Sequence, residues 1–175
     1  MTRPDLEFDQ VGDAWTRFDR ALGRLDDAAA RGPSLLPGWS RAHVVAHLWG
    51  NAEGFAGAVA GTAAGGVGVM YPGGTEGRTR DIEGRAALPL DVIADGARHA
   101  HARLVDAWAD IPDDRWDDPI DMITGPVPAS GTVRARWREI VVHHVDLDIG
   151  FGPADLPADY RTADASWLTV HRPDW

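Results

Sequence analysis

TVRARWREIVVHHVDLDI, residues 132–149, is the stretch on which the reading of this sequence turns. Val133, Trp137, Ile140, Val141, Val142, Val145 and Leu147 place apolar side chains around most of one helix, and a helix apolar on nearly all sides belongs at the centre of a fold. Into that surface are set Glu139 and His143, four residues apart and so on one face, one turn from each other. A carboxylate there is costly unless it is paired or binds a metal. Asp146 lies on the same side, where it can accept a hydrogen bond from a ligating imidazole. His144 points about 100° away and is assigned to the core or an interface.

Outward from this helix, the remaining pattern is also helical. Leu6, Val11, Trp15, Phe18, Leu22 and Leu25 recur every three to four places, predicting an amphipathic helix from Asp5 to about Arg31, ended by Gly32-Pro33. Ser40 is placed to cap a second helix, about Arg41 to Ala60, and Pro89 to open a third that Pro112 breaks. Prolines 119, 126 and 128 with Gly125 leave room for a small hairpin between 111 and 131, and a last helix runs from Pro157 to about His171. Four long helices and one short terminal helix, with long connections, give an all-α bundle in one domain. Glycines 61, 65, 66, 68, 73, 74 and 77 with Tyr71-Pro72 predict a long mobile loop from Gly61 to Arg85, of the kind that covers substrates. No GK[ST] follows them, which excludes a phosphate-binding P-loop.

Composition removes several classes of function. The 175 residues carry 17 basic and 27 acidic side chains, a formal net charge of -10, which argues against nucleic acid and anionic lipid as partners. Every basic residue is Arg, a usage that points to a GC-rich bacterial genome. Cys is absent, so disulfides, thiolate metal sites and a cysteine nucleophile are excluded, and thiol chemistry must borrow its sulfur. The N-terminus lacks the apolar segment of a signal peptide and the run Ala56 to Tyr71 is short and Gly-rich, so a cytoplasmic protein without a membrane partner is expected.

The second helix offers a third ligand beside Glu139 and His143. His43 and His47 are four apart and share a stripe with Ala46, Gly50, Asn51 and Gly54, whose small side chains leave room beside an ion. Two imidazoles and one carboxylate are the donor set of an open catalytic site. His99 and His101, flanked by Arg98 and Arg103, are read as surface residues. The bland alternative pairs Glu139 with Arg136, Arg138 or an Arg of another helix and leaves His143 a hydrogen-bonded core histidine, in a bundle that binds no metal.

Three segments carry a family resemblance. LPGWSRAHVVAHLWGNAEGFAGAVAG (residues 36–61), MYPGGTEGRTRDIE (70–83) and RWREIVVHHVDLDIGFGPADLP (136–157) resemble the metal-binding domain of mycothiol-dependent maleylpyruvate isomerases, within the DinB-like superfamily. The resemblance implies a DinB-like four-helix bundle with long crossover connections and a divalent ion, zinc first, held by His47, Glu139 and His143. Imidazole and carboxylate accept nickel, manganese and iron as well. It further implies mycothiol, a low-molecular-weight thiol of actinobacteria, as cosubstrate, since a divalent ion deprotonates a coordinated thiol.

Two reactions of a small electrophile fit that implication. In an isomerase the thiolate adds to a conjugated cis double bond and leaves after rotation; in an S-transferase the adduct is kept. The family's isomerases continue into a C-terminal domain that contributes an Arg, and this sequence stops at Trp175. Arg80 and Arg85, in or just after the Gly-rich loop, are the candidates for its role, because a guanidinium fork matches a carboxylate. Trp49 and Tyr71, with Arg80, are candidates for the thiol site, and Asp146 for assisting catalysis. Other readings are a metal hydrolase with Asp146 or Glu53 as base, and a non-enzymatic bundle that binds metal or a small ligand. Eight Trp and the apolar tail from Leu147 to Phe151 add a homodimer to the expected partners.

Overall fold

A computed structural model describes residues 3–123 and 125–175. The chain runs α1 (Asp5–Leu22), α2 (Asp27–Arg31), α3 (Arg41–Ala63), β1 (Gly68–Val69), α4 (Gly74–Ala86), α5 (Leu90–Ala109), β2 (Pro119–Met122), β3 (Gly125–Pro128), α6 (Ala129–Asp146), α7 (Ala158–Ala163) and α8 (Ala165–His171). The long helices α1, α3, α5 and α6 form the bundle expected from sequence, with α3 packed on α5, α4 and α6, and α1 laid along α6. On α1 the buried residues Val11, Ala14, Phe18, Ala21 and Leu22 follow the three-to-four spacing that defines its apolar face. Burying a Phe or Leu of this kind contributes about 1.5–3 kcal/mol each. Trp108, Trp116, Phe18, Phe55, Leu48 and Ile140 fill the centre. No helix among the described residues is long and apolar enough to cross a membrane.

The hairpin lies where the prolines allow it. β2 and β3 pair antiparallel, Ile120 opposite Val127, and β1 adds in parallel to the outer side of β2. Gly68 makes that addition feasible: a Cβ there would stand 2.0 Å from the Ala58 carbonyl oxygen on α3.

Four expectations are corrected. The segment 61–85 is not a continuous loop, because residues 74–86 form α4. Its Glu76 and Arg85 complement the helix dipole at the two ends, and Ile82 and Ala86, four apart, bury against the bundle. The first helix ends at Leu22 rather than Arg31, since Gly23 closes it and the Asp26 carboxylate accepts the Ala29 N–H at 2.7 Å, opening α2. The terminal helix is split at Asp164, whose non-helical backbone turns its carboxylate onto Arg138 of α6. His101 is not a surface residue: it is buried, stacks on Trp15 at 4.2 Å, and burial together with the charge of Arg136 holds its pKa down at about 3. His99 is exposed as expected. Leu147 is buried and Phe151 stacks on His144 at 4.1 Å, so this tail packs on its own chain.

Candidate metal centre

The N-terminus of α3 is fixed from two directions. The Ser40 hydroxyl accepts the His43 N–H while His43 Nδ1 accepts the Ser40 N–H, closing a capping box. Arg41 then donates to the carbonyl oxygens of Leu147 (2.7 Å) and Asp148 (3.1 Å), tying the start of α3 to the end of α6. Two turns further on, buried Arg136 of α6 donates from one nitrogen to Leu48 O (3.0 Å) and Asn51 Oδ1 (2.7 Å). Burial lowers its pKa to about 10. The two arginines bracket the point where α3 and α6 face each other with His47, Glu139 and His143.

There the donor atoms converge. His47 Nε2 lies 2.8 Å from Glu139 Oε2, His143 Nε2 lies 3.4 Å from the same oxygen, and the two rings meet edge to face with centroids 4.6 Å apart. One ligand atom from each residue lies within 4.8 Å of the others, a spacing that a single ion of imidazole and carboxylate preference fits. His143 Nδ1 donates to Asp146 Oδ2 at 2.9 Å, fixing the ring so that Nε2 faces the cluster.

The protonation pattern supports the fit. Burial pushes the His47 imidazole down to about 4, outweighing its hydrogen bond to Glu139. Burial would lower His143 too, but hydrogen bonds to Asp146 and Glu139 raise it to about 9. Glu139, which burial alone would raise, is held well below the usual carboxylate range by hydrogen bonds from His143 and His47. The carboxylate therefore stays charged, and the positive charge it faces is one that a cation can replace.

Beside the cluster opens a cavity of about 360 Å³, bounded by His47, Gly50, Gly54, Tyr71, Arg78 and Arg85 among others. The glycines of α3 provide the space. A Cβ on Gly54 would lie 2.7 Å from Met70 O and 3.1 Å from Tyr71 Cε1, so glycine lets Tyr71 close over the helix. Arg85 is bonded to Glu53, which also accepts from Trp49 Nε1 (2.9 Å) and Arg103 (2.9 Å). Arg85 Nη1 sits over Gly50 without a partner.

The sequence-based candidates separate in space. His47, Glu139 and His143 come together, Asp146 stands directly behind them, and Tyr71 and Arg85 line the cavity. Asp146 is buried and touches His143 and Arg172, so it positions an imidazole and does not reach the cavity as a catalytic group. Arg80 is exposed on α4 and Trp49 packs beneath Arg85, whose guanidinium lies 4.5 Å over the indole; neither bounds the cavity. His43 turns to Ser40 and to Glu83 (3.3 Å), leaving His47 as the α3 histidine that joins Glu139 and His143 in the cluster. Arg138 pairs with Asp164 and Arg136 with Asn51, so the alternative pairing of Glu139 with its neighbouring arginines is not what is observed.

Sequence reasoning missed Arg78, whose Nη2 lies 2.9 Å from His47 Nδ1. Arg78, Ile82 and Arg85 recur at spacings of four and three, a helical signal that the glycines obscured.

The family model of the mycothiol maleylpyruvate isomerase N-terminal domain matches residues 11–148. The crystal structure of a mycothiol-dependent maleylpyruvate isomerase is similar, with 29% identity and a TM-score of 0.89 over 94% of this chain and 69% of that chain. A histidine-to-alanine mutant of a mycothiol-dependent maleylpyruvate isomerase is similar at 28% identity and a TM-score of 0.88, with the same coverage. No curated protein matches the sequence.

Proposed function

Because the chain belongs to the mycothiol maleylpyruvate isomerase N-terminal domain family, we propose that it is a metal-dependent isomerase that uses mycothiol to isomerise a small unsaturated acid of the maleylpyruvate type. The observation that carries this reading is the convergence of His47, Glu139 and His143 beside a cavity that His47, Arg78 and Arg85 line. Zinc is the first candidate ion. When bound, it supplies a Lewis acid that keeps a thiol deprotonated at neutral pH.

The chain's own residues do the rest. Asp146 holds the His143 ring, Arg85 and Arg78 offer donors to a substrate carboxylate, and Val69, Met70 and Ile82 give the cavity an apolar wall that limits water. The thiol adds to the double bond, the carbon–carbon bond turns, and the thiol leaves, with no net change of atoms. Isomerisation is preferred to S-transfer because the similar solved structures are described as isomerases. The same reading places the protein in the cytoplasm and treats the chain as one functional unit.

The test is a coupled assay of maleylpyruvate isomerisation with zinc-loaded protein and mycothiol. Turnover that requires both, and that His143→Ala abolishes, is the expected result. Turnover without thiol, or full activity of His143→Ala, would overturn the reading.

A further inference from the structure

We infer that Arg172, just beyond the end of α8, is a positioning residue for the candidate metal centre, acting through Asp146 on His143. The inference rests on the metal-site reading above and adds to it a part of the chain outside the residues 11–148 that the family model matches.

Arg172 Nη2 lies 2.9 Å and 3.1 Å from the two oxygens of Asp146, and the same Asp146 Oδ2 accepts from His143 Nδ1 at 2.9 Å. Asp146 is 1% exposed. It is also the last residue of α6, where the carbonyl ends of the helix repel a carboxylate. Burial and the helix end both disfavour its charge, so a cation must compensate it. A metal-ligating imidazole is neutral. With an ion bound, Arg172 is therefore the one cation left on Asp146 among the described residues.

The guanidinium is itself held, with Trp175 stacked 4.7 Å from its central carbon. Without Arg172, Asp146 can turn away from Nδ1, and the His143 ring is then free to present either nitrogen. A second link between the terminal helices and α6 supplies a control: Arg138 binds Asp164 through two nitrogens and touches neither Asp146 nor His143.

The experiment compares the full chain with Arg172→Ala, Arg172→Lys and Arg138→Ala by two measurements. One is the zinc dissociation constant from competition with a chelator; the other is the nitrogen-15 and proton NMR signal of the His143 Nδ1–H in metal-free protein. Arg172→Ala is expected to weaken zinc by about tenfold or more, with Arg172→Lys recovering part of it and Arg138→Ala staying within about twofold. The Nδ1–H signal is expected to be slow to exchange in the parent chain and in Arg138→Ala, and to broaden in Arg172→Ala. Unchanged zinc affinity and an unchanged signal in Arg172→Ala would overturn the inference, as would an equal loss in Arg138→Ala. If the parent chain takes up no zinc, the metal reading fails, yet the NMR comparison still decides for or against Arg172.

Discussion

Replacing Arg78 by Met should make the candidate centre bind its ion more tightly. A guanidinium has donors only, so His47 Nδ1, 2.9 Å from Arg78 Nη2, must be the acceptor, and the ring proton sits on Nε2, donating to Glu139 Oε2 at 2.8 Å. An ion needs a lone pair of His47. Taken at Nε2, it drives the ring proton to Nδ1, against the Arg78 donor; taken at Nδ1, it requires the position Arg78 occupies. Either way the Arg78 bond is lost when the ion binds. A hydrogen bond to a charged group contributes about 1.5–3 kcal/mol, and the half-buried Arg78 belongs at the lower end. Arg78→Met keeps the bulk of the side chain without this bond, so the ion should bind about tenfold more tightly. Titration of metal-stripped protein with zinc against a chromophoric chelator reads this directly. In turnover the same variant should show a higher KM, because a carboxylate donor of the cavity is gone. Equal or weaker zinc binding in Arg78→Met would show that Arg78 supports the ion and would refute the proton bookkeeping on His47.

Other expectations follow from single residues. Glu139→Gln keeps the side-chain shape and loses its charge, so zinc affinity should fall by more than about 100-fold, exceeding the loss of any outer partner, as measured by the same competition. His143 gives up a proton to bind an ion, and with its pKa raised to about 9 the apparent zinc affinity should climb roughly tenfold per pH unit up to that pH; a flat profile between pH 6 and 8 would contradict this. His101 is held neutral at a folded pKa of about 3, below its unfolded value, so its contribution is complete above about pH 6.5 and is lost as pH falls towards 3. Between pH 7 and 4 that loss amounts to about 3 kcal/mol, and His101→Phe, which keeps the stack on Trp15, should lose that much less in urea melts at the two pH values. Gly54→Val would press on Met70 O and Tyr71, which should cost about 1–3 kcal/mol of stability by thermal melt and raise KM by disturbing the Tyr71 wall.

The bundle was legible because its evidence is periodic. The apolar spacing on α1, α5 and α6, the Ser40 cap and the proline breaks each have a local physical cause that survives in the fold. The Glu139–His143 spacing was legible for the same reason, and the second histidine of HVVAH completes it across the α3–α6 contact. α4 was not legible, since Gly74, Gly77 and Gly84 lower its intrinsic helix preference and its order comes from docking Ile82 and Ala86 on the bundle. That is why Arg78 was missed and why Arg80, two positions further round the helix, was chosen in its place. The burial of His101 between Arg-bearing neighbours was illegible too, because it depends on Trp15 of another helix. Arg172 gave no signal in sequence at all: its partner Asp146 is 26 residues away and meets it only after α7 and α8 have folded back.

The central claim is that three side chains on α3 and α6 hold one divalent ion that accepts a thiol. Cobalt(II) loaded into metal-stripped protein tests it through its absorption spectrum, recorded before and after mycothiol is added. The account predicts one equivalent of cobalt, a sulfur-to-cobalt charge-transfer band appearing with mycothiol, and neither feature in His143→Ala. A protein that takes up no cobalt, or a cobalt spectrum that mycothiol leaves unchanged, would contradict it.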